Sequence, residues 1–177
     1  MTTPFLQREP DAADRERWRA SLAEIPASAE HTGLVPLFVF RVGEERLGIE
    51  PRHVELAVPM PVLHSIPHRG AELAGVVNVR GAVTLCFSIA DILGIPPGPA
   101  VPRPMLLVLV QPGWRVACRV DFAEGILEFD RSALMPVPST LQATGRRHVK
   151  GIFPAEPGDV RWIDAGTVFE AFDAAAR

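Results

Sequence analysis

Apolar residues fall in short runs of period two along most of this chain, and one longer segment near the start keeps the spacing of a helix. That segment is "PDAADRERWRASLAEI", residues 10–25, where Trp18, Leu22 and Ile25 stand at i, i+4 and i+7. Asp11 and Asp14 lie near its start, where acids suit the helix dipole, and Pro26 stops it. The spacing predicts one amphipathic helix with a narrow apolar stripe, which docks on the protein's own body, binds a partner, or forms a tail. "PASAEHTG" then reads as a linker.

From Leu37 the period becomes that of strands. "LFVFRVGEERLGIE" reads as a hairpin around Gly43-Glu44-Glu45. "HVELAVP" is a strand or a short helix, kept short by Pro51, Pro59 and Pro61, and "VLHSIP" is a further strand candidate. "AELAG" makes at most one helical turn. "VVNVRGAVTLCFSI" predicts two strands around Arg80-Gly81, and "ADILG" a closing helical turn capped by Gly94. Residues 96–104, "PPGPAVPRP", hold five prolines and read as an extended connector. Strands resume with "MLLVLV", a Pro112-Gly113 turn, "WRVACRVD", "GILEF", "HVKGIFP" and "VRWID", before a short helix, "AGTVFEAF". Two halves of about five short strands emerge, and such strands between Gly/Pro turns argue for small barrels. One small barrel has little interior, so packing the pair together supplies the stability.

Composition removes several function classes. The formal net charge is −3, with 18 Lys+Arg scattered among 21 acids, which is no nucleic-acid footprint. The basic run Arg146-Arg147-His148-Val149-Lys150 is too short to change that. No window reaches the ~20 apolar residues of a membrane span, and the first residues lack the pattern of a secretory leader. Cys86 and Cys118 lie in apolar strand runs without CxxC spacing, so buried thiols and a cytoplasmic location are expected. His64 and His68 are four apart, but Ser65 and Pro67 oppose the helix that would align them on a metal. No GxSxG, P-loop or GxGxxG is present and tyrosine is absent. Asp121 and Asp164, each ending an apolar run, read as turn or cap residues. Neither catalysis, a cofactor nor a metal is expected. A binding or scaffolding module remains.

Four segments, taken in order, resemble the CheW-like domain, the chemotaxis coupling (adaptor) protein family. They are Leu47-Gly48-Ile49-Glu50; Leu73 to Gly81, ending Asn78-Val79-Arg80-Gly81; Val120-Asp121-Phe122 through Ile126; and Val149-Lys150-Gly151-Ile152. The resemblance spans about residues 36–173 and implies an all-β fold of two SH3-like five-stranded β-barrels packed side by side. The expected organisation is an N-terminal extension over 1–35 and a domain over 36–175. Within the domain, the first barrel would run about 36–95 and the second about 104–173.

The resemblance also implies an adaptor between a CheA-type histidine kinase and the cytoplasmic tip of a methyl-accepting chemoreceptor. Such a protein is cytoplasmic and recruited to receptor arrays without inserting in the membrane. Carried over by position, the partner-binding residues would be Val54, Leu56, Asn78, Arg80, Gly81, Val120 and Phe122. Arg80 would hold neighbouring loops near the junction of the barrels, because a planar fork with five donors can tie several acceptors at once. The chain departs from the family where an acid is frequent, at Leu56, and at Ser88, where the family often carries aspartate. Glu55, beside Leu56, is expected on the opposite strand face. A regulatory module binding another partner or a small ligand, in a two-component pathway outside chemotaxis, is the alternative.

Overall fold

A computed structural model describes residues 33–67, 70–139, 141 and 143–177. The expected helix over 10–25, with Trp18, Leu22 and Ile25, and also His68, lies outside the described residues. Among the described residues eleven strands run in order: β1 (Leu34–Val42), β2 (Glu45–Ile49), β3 (Val54–Pro59), β4 (Leu63–His64), β5 (Leu73–Val79), β6 (Ala82–Phe87), β7 (Met105–Gln111), β8 (Trp114–Val120), β9 (Phe122–Asp130), β10 (Val149–Phe153) and β11 (Val160–Ile163). Among the described residues three α-helices accompany them: α1 (Ile89–Leu93), α2 (Ala143–Arg146) and α3 (Ala165–Ala176).

Turn chemistry accounts for the local elements. Gly43, at φ 59°, makes the β1–β2 turn, and its N–H donates to Asp121 Oδ2 at 2.7 Å. Ser88 caps the start of α1 by accepting from the Asp91 N–H, and Gly94 ends the helix in the left-handed region. Asp164 caps α3 through the Thr167 N–H. Asp121 and Asp164 are thus the turn and cap residues that the pattern suggested. "VLHSIP" contributes a strand of only two residues, whereas "GILEF" belongs to a strand of nine. "AELAG" runs directly into β5, because Leu73 pairs with Phe87.

The strands form two mixed sheets, ordered β10-β11-β2-β1-β9 and β3-β7-β8-β6-β5-β4. They are not successive halves of the chain. The first sheet joins residues 34–49 to residues 122–163, and the second holds everything from 54 to 120. Barrel extents of 36–95 and 104–173 are therefore corrected: the proline-rich segment 96–104 connects elements of a single sheet. Two parallel pairings, β2 with β11 and β6 with β8, carry the long-range order together with the antiparallel pairing of β1 with β9. Local pattern predicts where strands lie but not which distant strand they meet.

Each sheet returns on itself. Past β9, Met135 pairs with Ile152 of β10, and β3 and β4, at the two ends of the second sheet, are consecutive in the chain. Three apolar clusters follow from this geometry. Val35, Leu37, Val39, Phe129, Phe153, Val160 and Trp162 fill the first sheet. Gly48 belongs there because a Cβ would lie 2.9 Å from Leu37 Cδ1 and 3.0 Å from Val160 Cγ1. Leu56, Val77, Val79, Cys86, Leu106, Val108 and Ala117 fill the second.

The largest cluster lies between the sheets. Phe38 and Phe40 of β1, Leu107 and Leu109 of β7, Val116, Cys118 and Val120 of β8, and Phe169 and Phe172 of α3 all join it. The unbroken apolar run of β7 now has its reason: Leu106 and Val108 face the interior of their own sheet while Leu107 and Leu109 face the other. Cys86 and Cys118 are free and buried in different clusters, on opposite faces of their sheet.

Candidate partner-docking site

The β5–β6 hairpin closes through two residues, because Val79 pairs with Ala82. Arg80 at φ 54° and Gly81 at φ 87° both adopt positive φ, the condition of a type I′ turn and of the strand twist it preserves. Asn78 completes it, its Oδ1 accepting the Gly81 N–H at 2.8 Å. The asparagine and glycine of the Asn78-Val79-Arg80-Gly81 motif are thus explained by the turn itself. The arginine is not, since a non-glycine residue at this φ is strained by about 1 kcal/mol or more.

Arg80 is exposed, and its guanidinium makes no hydrogen bond or ion pair with another described residue. The expectation that it ties neighbouring loops is corrected, because a residue at the tip of a two-residue turn projects into solvent. Exposed apolar side chains stand beside the hairpin, and the Glu55 carboxylate feels the Arg80 charge. Asn78 pairs with Val83, which is 76% exposed. The β4–β5 register, Leu63 with Val77, continued by one residue brings Val62, 71% exposed, beside Asn78.

A polar network stands at the mouth of the second sheet. Arg115 donates from Nε and Nη2 to the two carboxylate oxygens of Glu55, at 2.8 and 3.0 Å, and from Nη1 to Thr84 Oγ1 at 2.6 Å. Arg115 shares its strand face with Ala117, and Thr84 with Cys86, so the network caps that sheet's interior. The hydrogen bond from Arg115 holds the Glu55 carboxyl below its ordinary range against the opposing effect of burial, and the charges of Arg115 and Arg80 add to it. Glu55 can reach this network because β3 is bulged between Val54 and Leu56, which overrides simple alternation.

The remaining carried-over residues divide by depth. Leu56 is buried inside the second sheet and Val120, at 1% exposure, inside the shared core. Both are corrected from surface contacts to core residues, since inward-facing strand positions are filled by their own sheet. Val54 is half-buried against the shared core, and Phe122 is 55% exposed.

Between Val120 and Phe122 the chain crosses from one sheet to the other at Asp121, whose N–H donates to the Arg41 carbonyl. Val54, Ala57, Met105, Ala123 and Ile126 are half-buried against the shared core on strands of both sheets, and Phe122 stands at their end. Val54 pairs with Leu109, whereas Val120 pairs with Met105, so Val54 and Val120 lie about 13 Å apart along β7. Six of the seven residues therefore fall into two groups, Asn78, Arg80 and Gly81 at the hairpin and Val54, Val120 and Phe122 spread along the inter-sheet crossing, while Leu56 lies inside the second sheet.

Sequence reasoning missed Val62, Val83, Glu55 and Arg115. One signal was available: "AVTLCF" turns its threonine inward and its valine outward, because Thr84 is buried and Val83 is exposed. The ion pair of Glu55 with Arg115, sixty positions away, leaves no trace in a linear pattern.

Comparisons with known proteins complete the description. A "Probable chemotaxis protein CheW" from Rhizobium etli is 24% identical over 140 residues, covering 79% of this chain and 90% of that protein. A "Chemotaxis protein CheW" from Rhizobium meliloti is 24% identical over 133 residues, covering 75% and 86%. The crystal structure of scaffolding protein TtCheW from Thermoanaerobacter tengcongensis shares the fold, with a TM-score of 0.66 at 19% identity, over 77% of this chain and 88% of that one. Residues 36–172 match the CheW-like domain, so with most of its length accounted for, this chain belongs to the CheW-like domain family.

Proposed function

We propose that the chain is a non-catalytic adaptor that couples the cytoplasmic tips of chemoreceptors to a CheA-type histidine kinase in chemosensory signalling. On this reading it works in the cytoplasm, recruited to membrane receptor arrays. Its two sheets are two SH3-like barrels, which the return of each sheet on itself supports. The observation that carries the proposal is Arg80. A cation is held at positive φ on an exposed hairpin between Val62 and Val83, where glycine or asparagine would suit the backbone better. Strain kept at an exposed side chain that makes no hydrogen bond or ion pair with another described residue fits a contact made with another molecule.

Apolar contacts at Val62, Val83 and Phe122 supply affinity in this proposal, while Arg80 sets orientation toward a partner carboxylate. The test is co-purification of the full chain with the kinase and a receptor cytoplasmic fragment encoded in the same organism. Wild-type protein should retain both, and Arg80→Ala should weaken at least one with an unchanged circular dichroism spectrum. A folded wild-type protein that captures neither overturns the reading.

A further inference from the structure

Arg41 and Arg46 stand directly opposite each other on β1 and β2, a like-charge cross-strand pair that is unfavourable by itself. One carboxylate resolves it. Glu124 Oε1 accepts from Arg41 Nε at 2.7 Å and from Arg46 Nε at 3.0 Å, and Oε2 accepts from Arg46 Nη2 at 2.7 Å. Arg46 is only 7% exposed, and its Nη1 donates to the Gly158 carbonyl in the turn between β10 and β11. The bonds from Arg46 hold the Glu124 carboxyl below its ordinary range.

Glu124 occupies a particular place in its strand. The β1–β9 register passes from Val39 with Gly125 to Phe40 with Ala123, leaving Glu124 as the bulged residue without a partner across the ladder. Its side chain therefore supplies the restraint that the ladder lacks. Either side of it lie Ala123 and Ile126, packed against the shared core, and exposed Phe122.

We propose that Glu124 is a positioning residue for partner docking: its clasp on Arg41 and Arg46 fixes the β9 bulge and so sets the direction in which Phe122 is presented. Glu124 touches no partner itself. The inference rests on the adaptor reading and adds a residue to which that reading assigns nothing.

The test uses the full chain, with Glu124→Gln, Glu124→Asp, Arg41→Gln and Phe122→Ser variants. Amide hydrogen exchange over residues 122–126 is measured in the free protein, and affinity is measured for the same organism's receptor cytoplasmic fragment. Glu124→Gln should raise exchange there and weaken binding by about tenfold, the size of an ordinary contact residue. Glu124→Asp, which keeps the charge, should recover part of both.

In the double variant with Phe122→Ser, the second change should weaken binding little further, because both act through one side chain. Fully additive losses, or faster exchange at unchanged affinity, overturn the proposal. Should Glu124→Gln not fold, Arg41→Gln removes a single, more exposed arm, and unchanged exchange and affinity in it overturn the clasp. Failure of the wild-type chain to bind sinks the adaptor reading and the docking role with it. The clasp is then judged by exchange alone, and unchanged protection in Glu124→Gln refutes it.

Discussion

Replacing Arg80 with asparagine should make the protein more stable and a poorer partner. At φ 54° an arginine costs about 1–2 kcal/mol that Asn largely avoids, and the new turn would read Asn-Gly, the sequence that two-residue hairpins favour. Against that stands the lost attraction between Arg80 and Glu55. Glu55 keeps its bidentate bond to Arg115, and its side chain is 35% exposed, so solvent screening limits this loss to a few tenths of a kcal/mol. The net expectation is a gain of about 0.5–1 kcal/mol, a rise in Tm of about 1–4 °C for a chain of this size. Thermal and urea unfolding followed by circular dichroism measure the first quantity. Calorimetric titration with the receptor fragment and the kinase measures the second, where a loss of about tenfold or more is expected. A variant destabilised by more than about 1 kcal/mol would show that Arg80 braces the fold after all, against the strain argument.

Three further outcomes follow from the same geometry. His148, 1% exposed, lies between Arg147, which donates to its Nε2, and Thr167 Oγ1. Burial first, and the Arg147 charge next, press its pKa below the ordinary 6.5, so the unfolded chain binds the proton more readily. Stability contributed here is complete above pH 6.5 and declines as pH falls through that value; His148→Gln should flatten this part of a stability–pH curve, and an unaltered slope refutes the assignment. Burial pushes the Cys86 thiol up to about 11 and Cys118 well above its usual value, so neither should react with a thiol reagent at pH 8 until the protein unfolds. Val120→Ala should cost about 1–3 kcal/mol as a core truncation, whereas Phe122→Ser should stay within about 0.5 kcal/mol and act on binding instead. Equal stability losses in the two would erase the distinction between core and surface drawn at the sheet crossing.

Information readable locally in the chain determined a good deal. The β1–β2 hairpin, the β5–β6 turn at Arg80-Gly81, the cap at Gly94 and the roles of Asp121 and Asp164 depend on a few neighbouring residues whose conformational preferences are their own. Burial of Cys86 and Cys118 followed from the apolar runs that contain them. Pairing at a distance did not follow. The parallel contact of β2 with β11, which places residues 34–49 with 122–163, and that of β6 with β8 inside the second sheet depend on which apolar faces fit when all are present together.

Depth at the site was decided in the same way. Leu56 and Val120 look like Val54 and Phe122 in an alternating pattern, yet the first two face a filled interior and the others do not. A single bulge at Val54/Leu56 turned Glu55 to Arg115, and another left Glu124 to join Arg41 and Arg46. Each of these contacts spans sixty or more positions, a separation closed only by tertiary packing, and no short-range propensity encodes it.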